Sequence, residues 1–157
     1  TTKYGCKRGV NASHEVNVCL QLGGGKLSNH YPEIDGHKLT DFIHELPFYL
    51  GNIMKYAWRA PYKGGIDDTL KLLDYLDMSN RRWVKYTLSD KTILALNEIS
   101  NRNFYSKESG ADRIHRICIS SVAEWILKSQ GEKGSNHEYE ERAILSVASL
   151  QVSLLHN

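Results

Sequence analysis

The sequence predicts an all-α protein: a helical bundle of five or six helices with an irregular N-terminal arm. Three observations lead there. From residue 38 onward, apolar residues recur at helical spacing in successive stretches, each ended by a short polar or glycine-containing break. Strand and helix signals never alternate in the βαβ manner, and neither an internal repeat nor a low-complexity tract is present. The chain has 157 residues, 41% of them hydrophobic and 24% charged, which suits one ordinary folded domain, with disorder expected only at the start if anywhere.

Taken in order, residues 1–37 show no sustained helical period and are read as an N-terminal arm. They carry Gly5, Gly9, Gly23 to Gly25 and the turn pair Asp35-Gly36. Val16, Val18 and Leu20 alternate with polar neighbours and permit one strand or an extended arm. The segment GGGKLS at Gly23 to Ser28 invites comparison with a phosphate loop, but such a loop needs Ser or Thr directly after the lysine. Leu27 stands there, so a flexible turn is expected. Residues 38–157 form the helical domain, with a hairpin core over 38–85 and C-terminal helices over 86–157.

Within that domain, Leu39, Phe42, Ile43 and Leu46 predict a short helix, and Pro47 is placed to begin the next. That next helix runs to Arg59, where Pro61, Gly64 and Gly65 break it. A long helix is expected from Ile66 to about Lys85, with Leu70, Leu72, Leu73 and Leu76 as its core face. Its other side carries Asp67, Lys71, Asp74 and Arg81, a ladder of alternating charge. Ser89 is placed to cap a helix through Ile93, Leu96 and Ile99, and a polar break follows from Asn101 to Gly110. Arg113 to Ser129 has a wide apolar stripe stopped by Gly131, and Ser135 with Glu138 has capping-box spacing for a last helix over Ala143 to Leu155. The apolar richness of that last helix suits burial or a subunit contact.

Charge and cysteines narrow the function. Twenty cations against 18 anions give a net charge of +2, too balanced for a general nucleic-acid surface, so any basic patch must be local. Cys6, Cys19 and Cys118 are odd in number and lack CxxC spacing, which points to a reducing compartment and to neither a disulfide framework nor a zinc site. No apolar run approaches the about 20 residues of a membrane span, and no leader sequence is evident. A soluble protein is expected.

The chemistry concentrates in Pro47 to Asp77. On a helix, Leu50, Ile53, Met54 and Ala57 fall on one side, while Asn52, Lys55, Tyr56 and Arg59 line the other at i, i+3, i+4 and i+7. Two cations, an amide and a phenol in one stripe suit phosphate or carboxylate oxygens. Lys63 adds a cation in the following turn, Lys71 another on the next helix, and Asp67 and Asp68 open that helix at its positive dipole end.

The order of His30-Tyr31, FYLGNIMKYAWR at Phe48 to Arg59, Lys63-Gly64, and Asp68 through Tyr75-Leu76 resembles a small bacteriophage domain family called SaV-like. That family's pattern has Asp directly before Leu, whereas here Thr69 stands between Asp68 and Leu70. Within the family the chain is most similar to the nucleotide kinases of short-tailed coliphages of the T-seven type. The resemblance implies phosphoryl transfer from a nucleoside triphosphate to a deoxynucleoside monophosphate, dTMP or dGMP. It also implies a homo-oligomer, no Walker loop and a place in the cytoplasm of the infected bacterial host. Residues 85–157 lie outside the shared pattern and inherit nothing from it.

Phosphoryl transfer asks for an acceptor oxygen in line and neutralisation of charge on the transferred group. Lys55, Arg59 and Lys63 are therefore expected to clamp phosphates, with Asn52 and Tyr56 orienting ribose or phosphate. Asp67 and Asp68 either hold Mg²⁺ through water, orient the acceptor, or serve only as favourable charge at a helix start. His30 beside Tyr31 positions a base or accepts a proton, and Tyr49 or Trp58 can stack a nucleobase, while Phe48 is read as core. Arg81-Arg82 and Arg113 with Arg116 are read as solvated surface.

Two other readings stand beside this one. An all-α nucleoside triphosphate pyrophosphohydrolase would use acids at i, i+3, a spacing shown by Asp74 with Asp77 and Glu138 with Glu141. A non-enzymatic module binding a host protein or nucleic acid would use the basic stripe itself.

Overall fold

The computed structural model describes residues 31–130 and 137–156. The predicted strand or arm around Val16 to Leu20, the Gly23 to Ser28 turn and the Ser135 cap lie outside those residues. Among the described residues the architecture is an all-α bundle of five helices: α1 (Phe48–Arg59), α2 (Gly65–Arg81), α3 (Asp90–Ile99), α4 (Gly110–Lys128) and α5 (His137–Leu155). Helix α1 is central, with α2 packed on one side and α4 on another; α5 then lies across both α4 and α2, and α3 rests on α4.

The approach to α1 begins with a tight turn. Ile34 and His37 exchange both backbone hydrogen bonds at 2.9 Å each, and the two residues between them, Asp35 and Gly36, have φ of 50° and 80°. Two consecutive left-handed residues make the turn that an Asp-Gly pair favours. Arg116 of α4 holds Asp35 by an ion pair and reaches Glu108 at 3.5 Å, so it anchors this turn and is not the solvated surface residue expected.

The helix expected through Leu39, Phe42, Ile43 and Leu46 is instead two single 3-10 turns, Leu39–Asp41 and Ile43–Glu45. Phe42 between them has φ −141°, which interrupts helical hydrogen bonding, and Leu46 is extended as the residue before a proline must be. The apolar spacing is real nonetheless, since all four residues are buried in the core. Helix α2 also departs from expectation. It ends at Arg81, and Leu70 is half exposed while Asp68, Thr69, Leu72, Tyr75, Leu76 and Ser79 form the buried side. A leucine count along this helix misjudges its orientation, because polar contacts turn Asp68 and Thr69 inward. Thr69 accepts a hydrogen bond from Gln151 of α5 at 3.0 Å, and Asn80 donates to Glu140 at 2.7 Å, fixing α2 against α5.

The Ser89 cap is present: its Oγ accepts from the Thr92 backbone at 3.3 Å. Glu45 reinforces it from the preceding 3-10 turn. Its carboxylate accepts from the Ser89 backbone N–H at 2.8 Å, the Ser89 hydroxyl at 2.6 Å and the Thr92 hydroxyl at 2.5 Å. The polar break after α3 contains a further 3-10 turn, Arg102–Phe104, whose Phe104 is buried. Helix α4 starts earlier than expected, at Gly110, and places Cys118, Val122, Trp125 and Ile126 in the core. On α5, Ala143, Val147 and Leu150 face inward, whereas Leu145, Val152 and Leu155 are exposed. No helix among the described residues is long and apolar enough to cross a membrane.

Partial burial pushes the Glu45 carboxyl up, but the three hydrogen bonds outweigh it and hold the carboxyl below the usual range. A carboxyl depressed in the folded state stabilises above its unfolded value and loses that contribution as pH falls through the folded one. Glu45→Gln should therefore flatten the acid side of the stability curve, measured by urea unfolding between pH 3 and 6; an unchanged acid slope would show that the triple contact contributes nothing.

Candidate functional site

Because helices pack on both flanks of α1, Leu50 through Trp58 are buried all round, and the stripe of Asn52, Lys55 and Tyr56 lies inside the protein. Asn52 is 4% and Lys55 7% exposed. Trp58 belongs to the core, donating its indole N–H to the Pro32 carbonyl at 2.7 Å, which removes it as a base-stacking surface.

The cluster centres on the Tyr56 ring. Lys55 Nζ lies 4.7 Å, Arg59 Cζ 5.0 Å and Lys71 Nζ 5.4 Å from its centroid, and an electron-rich ring face attracts cations at such range. Tyr56 also stacks almost parallel on Tyr75 of α2, at 6.0 Å and 13°. Tyr75 in turn meets Phe48 at 5.9 Å and Tyr49 at 6.2 Å, so an aromatic row runs from the cations toward the N-terminal end of α1. Tyr49 is half-buried there and accepts a hydrogen bond from Arg82 at 3.5 Å.

Among the described residues, the carboxylate that pairs with two of these cations is Asp68. Asp68, fully buried, takes a two-pronged contact from Arg59, with Nε at 2.8 Å and Nη2 at 3.1 Å. Lys71 reaches the same carboxylate at 3.9 Å. The remaining Arg59 nitrogen donates to the Tyr31 hydroxyl at 3.4 Å. Burial lowers the proton affinity of Arg59, but the hydrogen bonds and charge of Asp68 outweigh it and raise it overall. Burial also pushes the Tyr31 phenol up, against the pull of Arg59. Lys55 has no carboxylate within salt-bridge distance among the described residues. Burial chiefly, then repulsion by Arg59 and Lys71, lowers its ammonium to about 8 against the attraction of Asp68.

The glycine turn makes this possible through two different requirements. Gly65 has φ +56°, a left-handed conformation that favours glycine. Gly64 is unremarkable in conformation, but a Cβ there would sit 2.0 Å from the Asp68 carboxylate, so only glycine leaves room for the ion pair.

Asp67 and Asp68 do not act together. Adjacent helical residues diverge by about 100°, and Asp67 is exposed while Asp68 is committed to Arg59. Lys63 is likewise exposed in the turn, its backbone N–H donating to the Arg59 carbonyl at 3.0 Å, and His30 lies outside the described residues. Tyr75 is the member that carried no role on sequence; the signal was its spacing, since Asp68, Lys71, Leu72 and Tyr75 stand at i, i+3, i+4 and i+7.

Of the acids considered for a metal, Asp77 pairs with Arg81 at 2.7 Å, Glu138 with Arg142 at 2.6 Å and Glu141 with His137 at 3.0 Å, all at the surface. Among the described residues, no group of three or more His, Cys, Asp or Glu comes together as a protein-held metal would need.

Residues 26–77 match the family DUF3310, described only as a protein of unknown function. The matched stretch contains the whole cluster from Tyr31 to Tyr75. No curated protein and no solved structure gives a match.

Three variants check this geometry. Asp68→Ala leaves Arg59 partly buried without its partner and should cost about 3 kcal/mol in urea unfolding, and Gly64→Ala should destabilise by displacing the same carboxylate. For Lys55 the slope has the same sign as for Glu45, since folding lowers both values. Its folded value near 8 lies below the ordinary 10.5, so the unfolded chain holds the extra proton between those limits and stability rises with pH there. Lys55→Met should abolish that rise; a rise of the same size in the variant would remove Lys55 as its source.

Proposed function

We propose that the cluster around Tyr56 is a nucleotide-phosphate site, and that the protein is a nucleotide kinase moving a phosphoryl group from a nucleoside triphosphate to dTMP or dGMP. The observation that carries this reading is the surplus of buried positive charge, above all Lys55. A buried ammonium without a carboxylate is costly to the fold, and an anionic ligand is the natural compensation. The resemblance to SaV-like phage domains, seen in the same residues, supports the choice of nucleotide and the reading of the enzyme as one acting in the cytoplasm of an infected bacterium. The exposed Leu145, Val152 and Leu155 give α5 an apolar outer side suited to a homo-oligomer.

In the reaction, an oxygen of the monophosphate forms a bond to the γ-phosphorus of the triphosphate as the β–γ bridging P–O bond breaks. Two diphosphates result. The protein's part is to hold both phosphates in line and to neutralise the oxygens that gain charge. Arg59 is pre-oriented by its two-pronged contact with Asp68, which makes Asp68 a positioning residue, while Lys55 and Lys71 supply cations close to the Tyr56 ring. Any Mg²⁺ would arrive with the triphosphate as part of the substrate. Lys55 and Asn52 are covered, so binding requires the packing around them to open.

Incubation with a panel of nucleoside mono- and triphosphates, with and without Mg²⁺, tests the reading by its products: diphosphate from monophosphate for a kinase, monophosphate from triphosphate for a pyrophosphohydrolase, none for a binding module. Arg59→Ala is a poor probe because it strands a buried carboxylate. Lys55→Met and Lys71→Met are better, and each should lower kcat/KM about 100-fold without lowering the melting temperature. Nucleotide affinity should also weaken as pH rises through about 8, where Lys55 loses its proton, and Lys55→Arg, permanently charged, should flatten that dependence. Unchanged turnover in both methionine variants would remove the site.

A further inference from the structure

We propose that Asn52 reads the sugar of the bound nucleotide, its side-chain oxygen accepting a hydrogen bond from the 3′-hydroxyl. The inference rests on the nucleotide-site reading above and adds to it the part of the ligand that Asn52 recognises.

Asn52 is 4% exposed, and its amide nitrogen donates to the Phe48 carbonyl at 2.9 Å. That contact fixes which end of the amide is which, since a carbonyl can only accept. The other end, Oδ1, is buried and has no hydrogen-bond partner among the described residues. Buried polar atoms are seldom left unpaired, and doing so is expensive. What remains available at Asn52 is an acceptor alone.

An acceptor is of no use to phosphate. At neutral pH the phosphate oxygens of a nucleotide are overwhelmingly acceptors themselves, so Asn52 cannot share the role of Lys55, Arg59 and Lys71. It calls for a donor. Its place on α1 indicates which one. Lys55 stands three residues toward one end, about 4.5 Å of helix rise away, and the Phe48 and Tyr49 rings stand a similar distance toward the other. Cations, lone acceptor and aromatic end follow one another in the order phosphate, sugar, base, and the 3′-hydroxyl is the donor on a deoxynucleotide sugar. A base N–H would reach the aromatic end instead.

The test compares dTMP with 2′,3′-dideoxythymidine monophosphate by calorimetric titration of the full-length protein, with phosphoryl transfer to each measured in parallel. Wild-type protein should bind dTMP about tenfold more tightly, and Asn52→Leu, checked by circular dichroism, should bind both nucleotides alike. Equal binding of the two by wild-type protein overturns the inference while leaving the nucleotide site standing, as does a preference that survives in Asn52→Leu. That second result would assign the 3′-hydroxyl to another residue. Failure of wild-type protein to bind either nucleotide overturns the underlying reading as well. Equal binding by wild-type protein overturns the inference even if the variant does not fold.

Discussion

The contact between Arg59 and Asp68 is the constraint on which the rest of this structure turns. Helix α1 is enclosed on both flanks, so the polar stripe along it cannot be satisfied by water and must be satisfied by the protein. Asp68 supplies the only carboxylate in contact with Arg59 and Lys71 among the described residues. It crosses from α2 at the first turn after the hairpin bend, which is why that bend has to be so close. Orientation of α2 follows from it. Turning Asp68 inward carries Leu72, Tyr75 and Leu76 to the core and leaves Leu70 outside.

Electrostatic and aromatic interactions in the cluster are interdependent. Tyr56 offers one ring to three cations and its stacking plane to Tyr75, so the rings spread the charge that a single carboxylate leaves over. Buried charge under partial compensation is poised for an anion in a way that a solvated lysine is not. The depressed ammonium of Lys55 is the thermodynamic mark of that poise, since an arriving phosphate would restore the proton that burial discourages.

Rigid surroundings give the cluster its order. Glu45 and Ser89 lock the 3-10 turn to the start of α3, Arg116 holds the Asp35 turn, and His115 of α4 is held at 2.8 Å from the Ala57 carbonyl beside the site. Burial keeps the proton affinity of that imidazole low. These contacts come from outside the stretch that holds the site, so residues beyond 77 serve it by enclosing α1.

Read on its own, the sequence determined the helical class, the boundaries of α1 and α3, the Asp35-Gly36 turn, the Ser89 cap and the stripe of Asn52, Lys55, Tyr56 and Arg59. Each of these depends on neighbours within a turn or two, where periodicity and local hydrogen bonding decide. Only the tertiary structure decided that the stripe is buried, that Asp68 serves Arg59 while Asp67 faces outward, that the Lys63 side chain is exposed, and that Tyr75 joins the site. The reason is physical. Spacing along one helix fixes which residues share a side but says nothing of what covers that side, and the covering of α1 comes from α2 and α4, whose placement depends on the whole core.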